Sequence, residues 1–241
     1  MSVQIKKAMV LAAGEGRRMR PLTDDRPKPL VEVGGRALID HVIDRLEAAG
    51  VEEVVVNLHY MADMLEAHLK GRKSPRIVFS DERDALLDTG GGVKRALPLL
   101  GDDPFLVMSA DTGWIESPDG KDNLKAMMDT FDPDRCDCML LVADCKTSVG
   151  FVGRGDFDMD EDRKLTRRTP DGDADYMYAS VQVMKPSLFD ATPQGAFSNN
   201  WIWDQLNLKG RLLGHKLEGR WLHASSAADV AAIDEVLRDA P

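Results

Sequence analysis

The chain is short of positive charge, of cysteine and of long apolar runs. It carries 31 Lys and Arg against 41 Asp and Glu, a formal net charge of −10. Such a chain is a poor general binder of nucleic acid or of an anionic membrane. An anionic substrate must then be held by a local concentration of positive charge. The three cysteines, Cys136, Cys138 and Cys145, are odd in number and share one apolar neighbourhood. They make neither a disulfide framework nor a zinc site, which would want a fourth ligand close by, and they fit buried thiols in a reducing cytoplasm. No apolar stretch approaches the roughly 20 residues that span a bilayer. The apolar run that follows Lys6 and Lys7 is short and gives way at once to arginines, so it reads as a buried first strand rather than a secretion signal. Repeats, low-complexity tracts and flexible linkers are also missing.

What is there is a rhythm. With 43% hydrophobic and 30% charged residues over 241 positions, the chain is long enough and apolar enough to bury a core. Strands are predicted at Lys7–Ala13, Val54–Leu58, Arg76–Ser80, Phe105–Ser109 and Cys138–Ala143. Helices are predicted at Ala37–Ala49, Ala62–Leu69, Gly92–Leu100 and Leu124–Phe131. In the first helix Leu38, Ile39, Val42, Ile43 and Leu46 share one face and Gly50 is the stop. This alternation argues for an α/β fold with a mostly parallel central sheet. After Gly150 the pattern changes to a polar-tipped hairpin (Phe151–Arg168), a strand at Tyr178–Met184, one or two more in Leu213–Ala224, and a closing helix, Ala227–Arg238, with Val230, Ile233 and Leu237 on its apolar face. The second half reads as a β-rich elaboration of a single domain, 1–241, rather than a domain of its own.

The informative segment runs from Leu11 to Gly35, directly after the first strand, where α/β folds place ligand loops. Gly14 and Gly16 allow the backbone to approach a ligand and to aim N–H groups at phosphate oxygens. Arg17, Arg18, Arg20, Arg26 and Lys28 outnumber Glu15, Asp24 and Asp25, a local positive excess in an acidic chain. A dinucleotide fingerprint is excluded because its third glycine position holds Met19, and a P-loop because no Gly-Lys-Ser/Thr ending follows. Phe105–Asp111 is an apolar strand followed by a carboxylate, which suits either a turn or a metal ligand. The aspartates 156, 158, 160 and 162 alternate as in a calcium loop, but Glu161 and Arg167 stand where that loop needs Gly and Glu, so an acidic turn is the reading.

Leu11 to Lys28 resembles the motif of the sugar-1-phosphate nucleotidyltransferases: a glycine-rich loop (Gly14-Glu15-Gly16), then Arg18, Met19, Pro21 and a Lys28-Pro29 pair. Leu87–Val107 and Gly153–Phe157 are similar to the compact N-acetylmuramate-1-phosphate uridylyltransferase subgroup of bacterial cell-wall recycling. The resemblance implies a Rossmann-like nucleotidyltransferase fold with a nucleotide-binding part (1–145) and a sugar-binding part with the C-terminal helix (146–241). Larger relatives append a left-handed β-helix, and no hexapeptide repeat occurs here. It implies a cytoplasmic enzyme, a monomer or small homo-oligomer, whose partners are a nucleoside triphosphate and a sugar 1-phosphate and whose products are a nucleotide sugar and pyrophosphate. UTP with N-acetylmuramate 1-phosphate leads, GTP with mannose 1-phosphate and CTP with a choline-phosphate type of substrate are alternatives, and a nucleotide-binding module without turnover is a further one.

The same resemblance assigns Leu11, Ala12, Ala13, Gly14, Glu15, Gly16 and Arg17 to nucleotide binding, Arg18 to the triphosphate and leaving pyrophosphate, and Lys28 to the charge between the reacting phosphates. Asp111 is the implied ligand of Mg²⁺, with Mn²⁺ as a substitute. Glu82 and Gly90 fall in the implied nucleobase loop, although Glu82 reads equally as an exposed loop carboxylate. Asp88, Thr89, Gly155, Arg168 and Ser180 fall where the sugar phosphate would be held, with the hairpin arginines also readable as solvated charge. The pattern breaks near the C-terminus. Where the family has a second metal-binding Asp in Trp-x-Asp-Val-Gly-Thr, this chain has Trp221-Leu222-His223-Ala224-Ser225-Ser226. Histidine is a softer ligand than Mg²⁺ prefers, so His223 is a metal ligand, a phosphate contact or a packed ring. Ser180 stands where Gly is usual.

Overall fold

A computed structural model describes residues 4–118, 120, 122–149 and 153–238. The first half runs β1 (Lys7–Leu11), the small hairpin β2 (Glu32–Val33) and β3 (Arg36–Ala37), α1 (Leu38–Ala48), β4 (Glu53–Leu58), α2 (Ala62–Leu69), β5 (Arg76–Asp81), α3 (Asp88–Leu100), β6 (Phe105–Ser109), β7 (Thr112–Glu116) and α4 (Asn123–Thr130). The second runs β8 (Cys138–Asp144), β9 (Phe157–Met159), β10 (Leu165–Arg167), β11 (Tyr176–Met184), α5 (Asn200–Leu208), β12 (Leu212–Lys216), β13 (Gly219–His223) and α6 (Ala227–Arg238).

The strands that read as unbroken apolar runs form the centre of the sheet, because parallel strands are covered on both faces. β6, β1, β4 and β5 lie side by side and parallel. β11 runs antiparallel between β6 and β8, and β12 closes that side parallel to β8. The β9–β10 hairpin joins at Tyr176 of β11. One face packs on α1, whose Ile39, Val42, Ile43 and Leu46 recur at helical spacing and are fully buried. The other packs on α3 and α5 through Val93, Ala96, Ile202, Trp203 and Leu206. The α/β fold with a mixed, mostly parallel sheet flanked by helices is therefore the observed one.

Several boundaries differ from the sequence reading. The first strand stops at Leu11, because Ala12 turns its N–H to the Asn57 side chain instead of a neighbouring strand. Helix α3 begins at Asp88, four residues before the predicted start, and takes in Gly90 and Gly91 as well as Gly92. They are helical because a neighbour fills the place of each missing side chain: Phe197 at Gly90, the Gly195 carbonyl at Gly91, and Glu82 with Asn57 at Gly92. α5 was not foreseen, and it takes Trp203 into the core while Trp201 stays half-exposed. The start of the predicted hairpin, Phe151, lies outside the described residues, and its acidic tip spends Asp160 Oδ1 on the Lys164 N–H at 2.8 Å. Cys136 and Cys138 are buried and all three thiols are free. Burial pushes the Cys136 thiol up to about 11 and that of Cys138 well above its ordinary value, so neither is a nucleophile at neutral pH.

α6 is fixed by a capping box. Ser226 Oγ accepts from the Asp229 N–H at 3.2 Å while Asp229 Oδ2 accepts from the Ser226 N–H at 2.7 Å and from the Ser225 hydroxyl at 2.8 Å. Ser225 and Ser226 thus have a local role at the start of α6. Ser180 has one too. β11 shifts register between Tyr178 and Gln182, and Ser180 sits in that irregularity at φ +62°, the left-handed region where glycine is at ease. Ser180→Gly is expected to raise stability by about 0.5–1 kcal/mol, the left-handed strain relieved less the added chain entropy. Urea unfolding checks it through a higher midpoint at unchanged slope.

Candidate active site

β1, β4 and β6 end at one level, and a cleft of about 560 Å³ opens beyond them. Its wall is built from Leu11 to Gly14, Gly16, Arg17, Arg18 and Lys28 of the glycine loop, from Asn57 of β4, from Leu86, Asp88 and Thr89 at the start of α3, from Ser109 to Asp111 after β6, and from Ser225 before α6.

The loop takes its shape from a few local contacts. No heavy atom outside its chain neighbours lies within 4 Å of where a Gly14 side chain would start, so that glycine leaves the cleft open. Gly16 is needed twice. It sits at φ +63°, and a Cβ there would come within 2.9 Å of Lys28 Cβ and 3.0 Å of the Thr23 methyl. This close approach brings Lys28 against the loop, and the Thr23 hydroxyl holds the turn by donating to the Gly16 carbonyl at 2.9 Å. One helical turn, Arg17–Met19, then buries Met19 completely and leaves Arg17 and Arg18 exposed. Met19 packs with Val31, Leu38, Leu222, Val230 and Ile233, tying the loop to β13 and α6.

The local charge is less free than its count suggests. Arg17 pairs with Glu15, Arg20 with Asp24 at 3.5 Å, Arg26 with Asp25 at 3.0 Å, and Lys28 with Asp111. Among the described residues no ion pair engages Arg18, so its guanidinium is the positive charge left open to an incoming anion.

Asp111 lies between β6 and β7. The β7–β13 pair sets His223 opposite Thr112, near enough to Asp111 for the carboxylate to act on the ring's charge, although His223 is not among the residues that line the cleft. The imidazole stacks on Trp221 at 4.7 Å between centroids. Burial pulls its pKa below the ordinary value, opposed by Asp111 and reinforced by Lys28 and Arg18, so the ring is neutral at pH 7. Among the described residues no three His, Cys, Asp or Glu side chains converge into a ready-made cage. A Mg²⁺ that takes most of its ligands from substrate phosphates and water needs only one or two carboxylates. The hard oxygens of Asp111 fit an ion of that kind.

The other residues singled out from the sequence scatter. Asp88 and Thr89 line the cleft. Glu82 and Gly90 are not among its lining residues. Glu82 has no exposure at all, so it is no loop carboxylate on the surface. Its Oε1 accepts from Asn57 Nδ2 at 3.0 Å, and its Oε2 has no partner among the described residues. Gly90 is small because Phe197 occupies the adjoining space, and its N–H goes to the Phe197 carbonyl at 2.8 Å. Gly155 sits at φ +73° against the Ala174 and Tyr176 carbonyls, a packing requirement of the hairpin. Arg168 spends its guanidinium on the carbonyls of Gly155, Thr169 and Pro170. Neither lines the cleft, and neither does Ser180. The residue that sequence reasoning missed is Asn57. The signal was present, as a polar residue inside the apolar run Val54-Val55-Val56-Asn57-Leu58.

Residues 8–192 match the MobA-like NTP transferase domain. The chain is 45% identical to the N-acetylmuramate alpha-1-phosphate uridylyltransferase of Caulobacter vibrioides over 244 aligned positions, which cover all of both chains. The protein of the same name from Neisseria meningitidis is 47% identical over 107 residues, 44% of this chain and 46% of that one. The mannose-1-phosphate guanyltransferase of Aspergillus fumigatus is 44% identical over 110 residues, 44% of this chain and 30% of that one. In fold, a UDP-glucose pyrophosphorylase solved with UDP-glucose is similar at a TM-score of 0.78 and 17% identity, covering 98% of this chain and 99% of that one.

The buried Glu82 carboxyl has a testable cost. Burial raises its pKa above the ordinary value, against the Asn57 hydrogen bond that lowers it. A carboxyl whose pKa is higher in the folded state favours folding below its unfolded pKa and loses that contribution as pH rises through the folded value. Glu82→Gln is therefore expected to gain stability relative to the parent as pH goes from 4 to 7.5, read as a widening gap between the two urea midpoints.

Proposed function

Because the chain belongs to the MobA-like NTP transferase domain family, we propose that it condenses UTP with N-acetylmuramate 1-phosphate to give the UDP-sugar and pyrophosphate. The observation that carries the reaction class is the cleft itself: a glycine loop at the carboxyl end of β1, an Arg18 that no ion pair engages among the described residues, and Lys28 facing Asp111. The choice of base and sugar rests on the full-length likeness to the Caulobacter vibrioides enzyme.

In this reading an anionic oxygen of the sugar 1-phosphate attacks the α-phosphorus. The new O–P bond forms as the bond to the α–β bridging oxygen breaks, and pyrophosphate leaves with that electron pair. The nucleophile is already ionised, so the chain's task is to align two polyanions and offset their repulsion. Backbone groups of Leu11 to Gly16 hold the nucleotide, with the Ala12 N–H itself committed to Asn57 Oδ1. Arg18 reaches the triphosphate and the departing pyrophosphate, where a planar, always charged group suits several oxygens at once. Lys28 lies between the two phosphates. Asp111 would hold a Mg²⁺, or a Mn²⁺ in its place, together with the substrates' own oxygens. That ion supplies further neutralisation of the charge on the reacting phosphates. His223, neutral and beside Asp111, is a second donor at the same end. Asp88 and Thr89 remain as candidate contacts to the sugar phosphate, whereas Gly155, Arg168 and Ser180 serve the fold.

We read residues 1–241 as one nucleotidyltransferase unit, with 1–145 supplying most of the nucleotide side and 146–241 the sugar side. Free thiols fit a cytoplasmic setting, and the substrate pair fits reactivation of amino sugar recovered from cell wall.

Pyrophosphate release tests this with each of the four common nucleoside triphosphates, a panel of sugar 1-phosphates, and Mg²⁺ or Mn²⁺. UTP with N-acetylmuramate 1-phosphate should dominate, and a preference for GTP with mannose 1-phosphate would overturn the substrate assignment. No release under any pairing, with nucleotide still bound, would leave a binding module. Arg18→Ala and Lys28→Ala should each lower kcat/KM by about 10²–10³, and Asp111→Asn by at least as much. Full activity in Asp111→Asn would remove that carboxylate from the metal site.

A further inference from the structure

We propose that Asn57, locked in place by Glu82, is a positioning residue that sets the aim of the phosphate loop and thereby the affinity for the nucleotide. The inference rests on the nucleotidyltransferase reading and concerns residues to which that reading gives no task.

Asn57 is buried at the end of β4 yet borders the cleft. Its Oδ1 accepts the Ala12 N–H at 2.7 Å, at the first residue past β1. A backbone N–H there would otherwise look for a neighbouring strand or for the ligand. Its capture by Asn57 decides where β1 ends and in which direction Ala13 to Gly16 leave the sheet. The amide could flip, and a flipped amide would present N–H to N–H. Glu82 prevents this. Its Oε1 takes the Asn57 Nδ2 hydrogen at 3.0 Å, which leaves the carbonyl end facing Ala12.

Glu82 is in turn held by its backbone. Its N–H donates to the Leu58 carbonyl at 2.8 Å, and His59 Nδ1 lies 2.6 Å from its carbonyl oxygen. Space for the pair comes from α3. A Cβ on Gly92 would come within 3.0 Å of Glu82 Oε1 and 3.1 Å of Asn57 Nδ2. Three separate oddities of the sequence thus share one cause: a polar residue in an apolar strand, a carboxylate without exposure, and a glycine in a helix. A buried carboxylate with one oxygen unpartnered is costly to keep, and a fold with no use for the loop's aim would do better with an apolar pair.

The test is UTP binding by calorimetry without sugar phosphate, alongside KM for the sugar 1-phosphate. Asn57→Ala and Gly92→Ala, one removing the amide and one pressing on it from α3, should each weaken UTP about tenfold, the effect of one lost buried hydrogen bond. The sugar 1-phosphate KM should stay put. A folded Asn57→Ala that binds UTP like the parent, or a loss that falls equally on both substrates, overturns the positioning role and leaves the reaction reading intact. A parent chain that binds no nucleoside triphosphate overturns the reaction reading and this inference with it. Amide exchange of the parent chain needs no variant: the Ala12 N–H should exchange as slowly as the core of β1, and rapid exchange there refutes the tie to Asn57.

Discussion

Parallel pairing of β1 with β4 on one side and β6 on the other fixes where everything else can go. In the observed register these three parallel strands stop at nearly the same height. Leu11 ends level with Ser109, and Val10 lies beside Val56. The segments that follow are consequently delivered to one place: the glycine loop after β1, the Asn57 side chain from the end of β4, and Asp111 after β6. A shift of one residue in β1 would turn Ala8 and Val10 away from the α1 side and exchange them with Met9, which packs on the α3 side. Core packing and site geometry are therefore set by the same register.

The second half of the chain completes this site through two small devices. β7 and β13 pair outside the main sheet and bring His223 within electrostatic reach of Asp111. Met19 reaches from between two arginines into a cluster with Leu222, Val230 and Ile233. A loop that must show its backbone to solvent is thereby given an apolar anchor. The stacking of His223 on Trp221, and the reciprocal hydrogen bonds of Ser226 and Asp229, show that the departures from the family pattern near the C-terminus are locally satisfied.

The central strands were legible because burial on both faces leaves only apolar residues in a row. The phosphate loop was legible because its glycines, arginines and Lys28 are close in sequence. Asn57 and Glu82 were harder, since their meaning lies in a contact across 25 positions. At Gly90 and Gly155 the sequence suggests ligand approach, and the fold adds a packing reason that no sequence shows: the space beside each is taken by Phe197 and by the Ala174 carbonyl. Ion pairing was also invisible. Five basic residues looked like one positive patch, and only the folded chain separates Arg18 from the four that already have partners. Local chemistry reads directly from a sequence, and long-range pairing does not.

β11 has a consequence for how the molecule comes into being. It is the antiparallel strand that joins β6 to β8, and it lies some seventy positions after β6 in the chain. As the chain leaves the ribosome from its amino end, the parallel block of β5, β4, β1 and β6 is made first. The free side of β6 then shows a row of unpaired N–H and C=O groups until Met184 has emerged. Pairing over such a span closes a large loop and is slow. Until then the β6 edge is open to pairing with other chains, an exposure that the finished sheet removes.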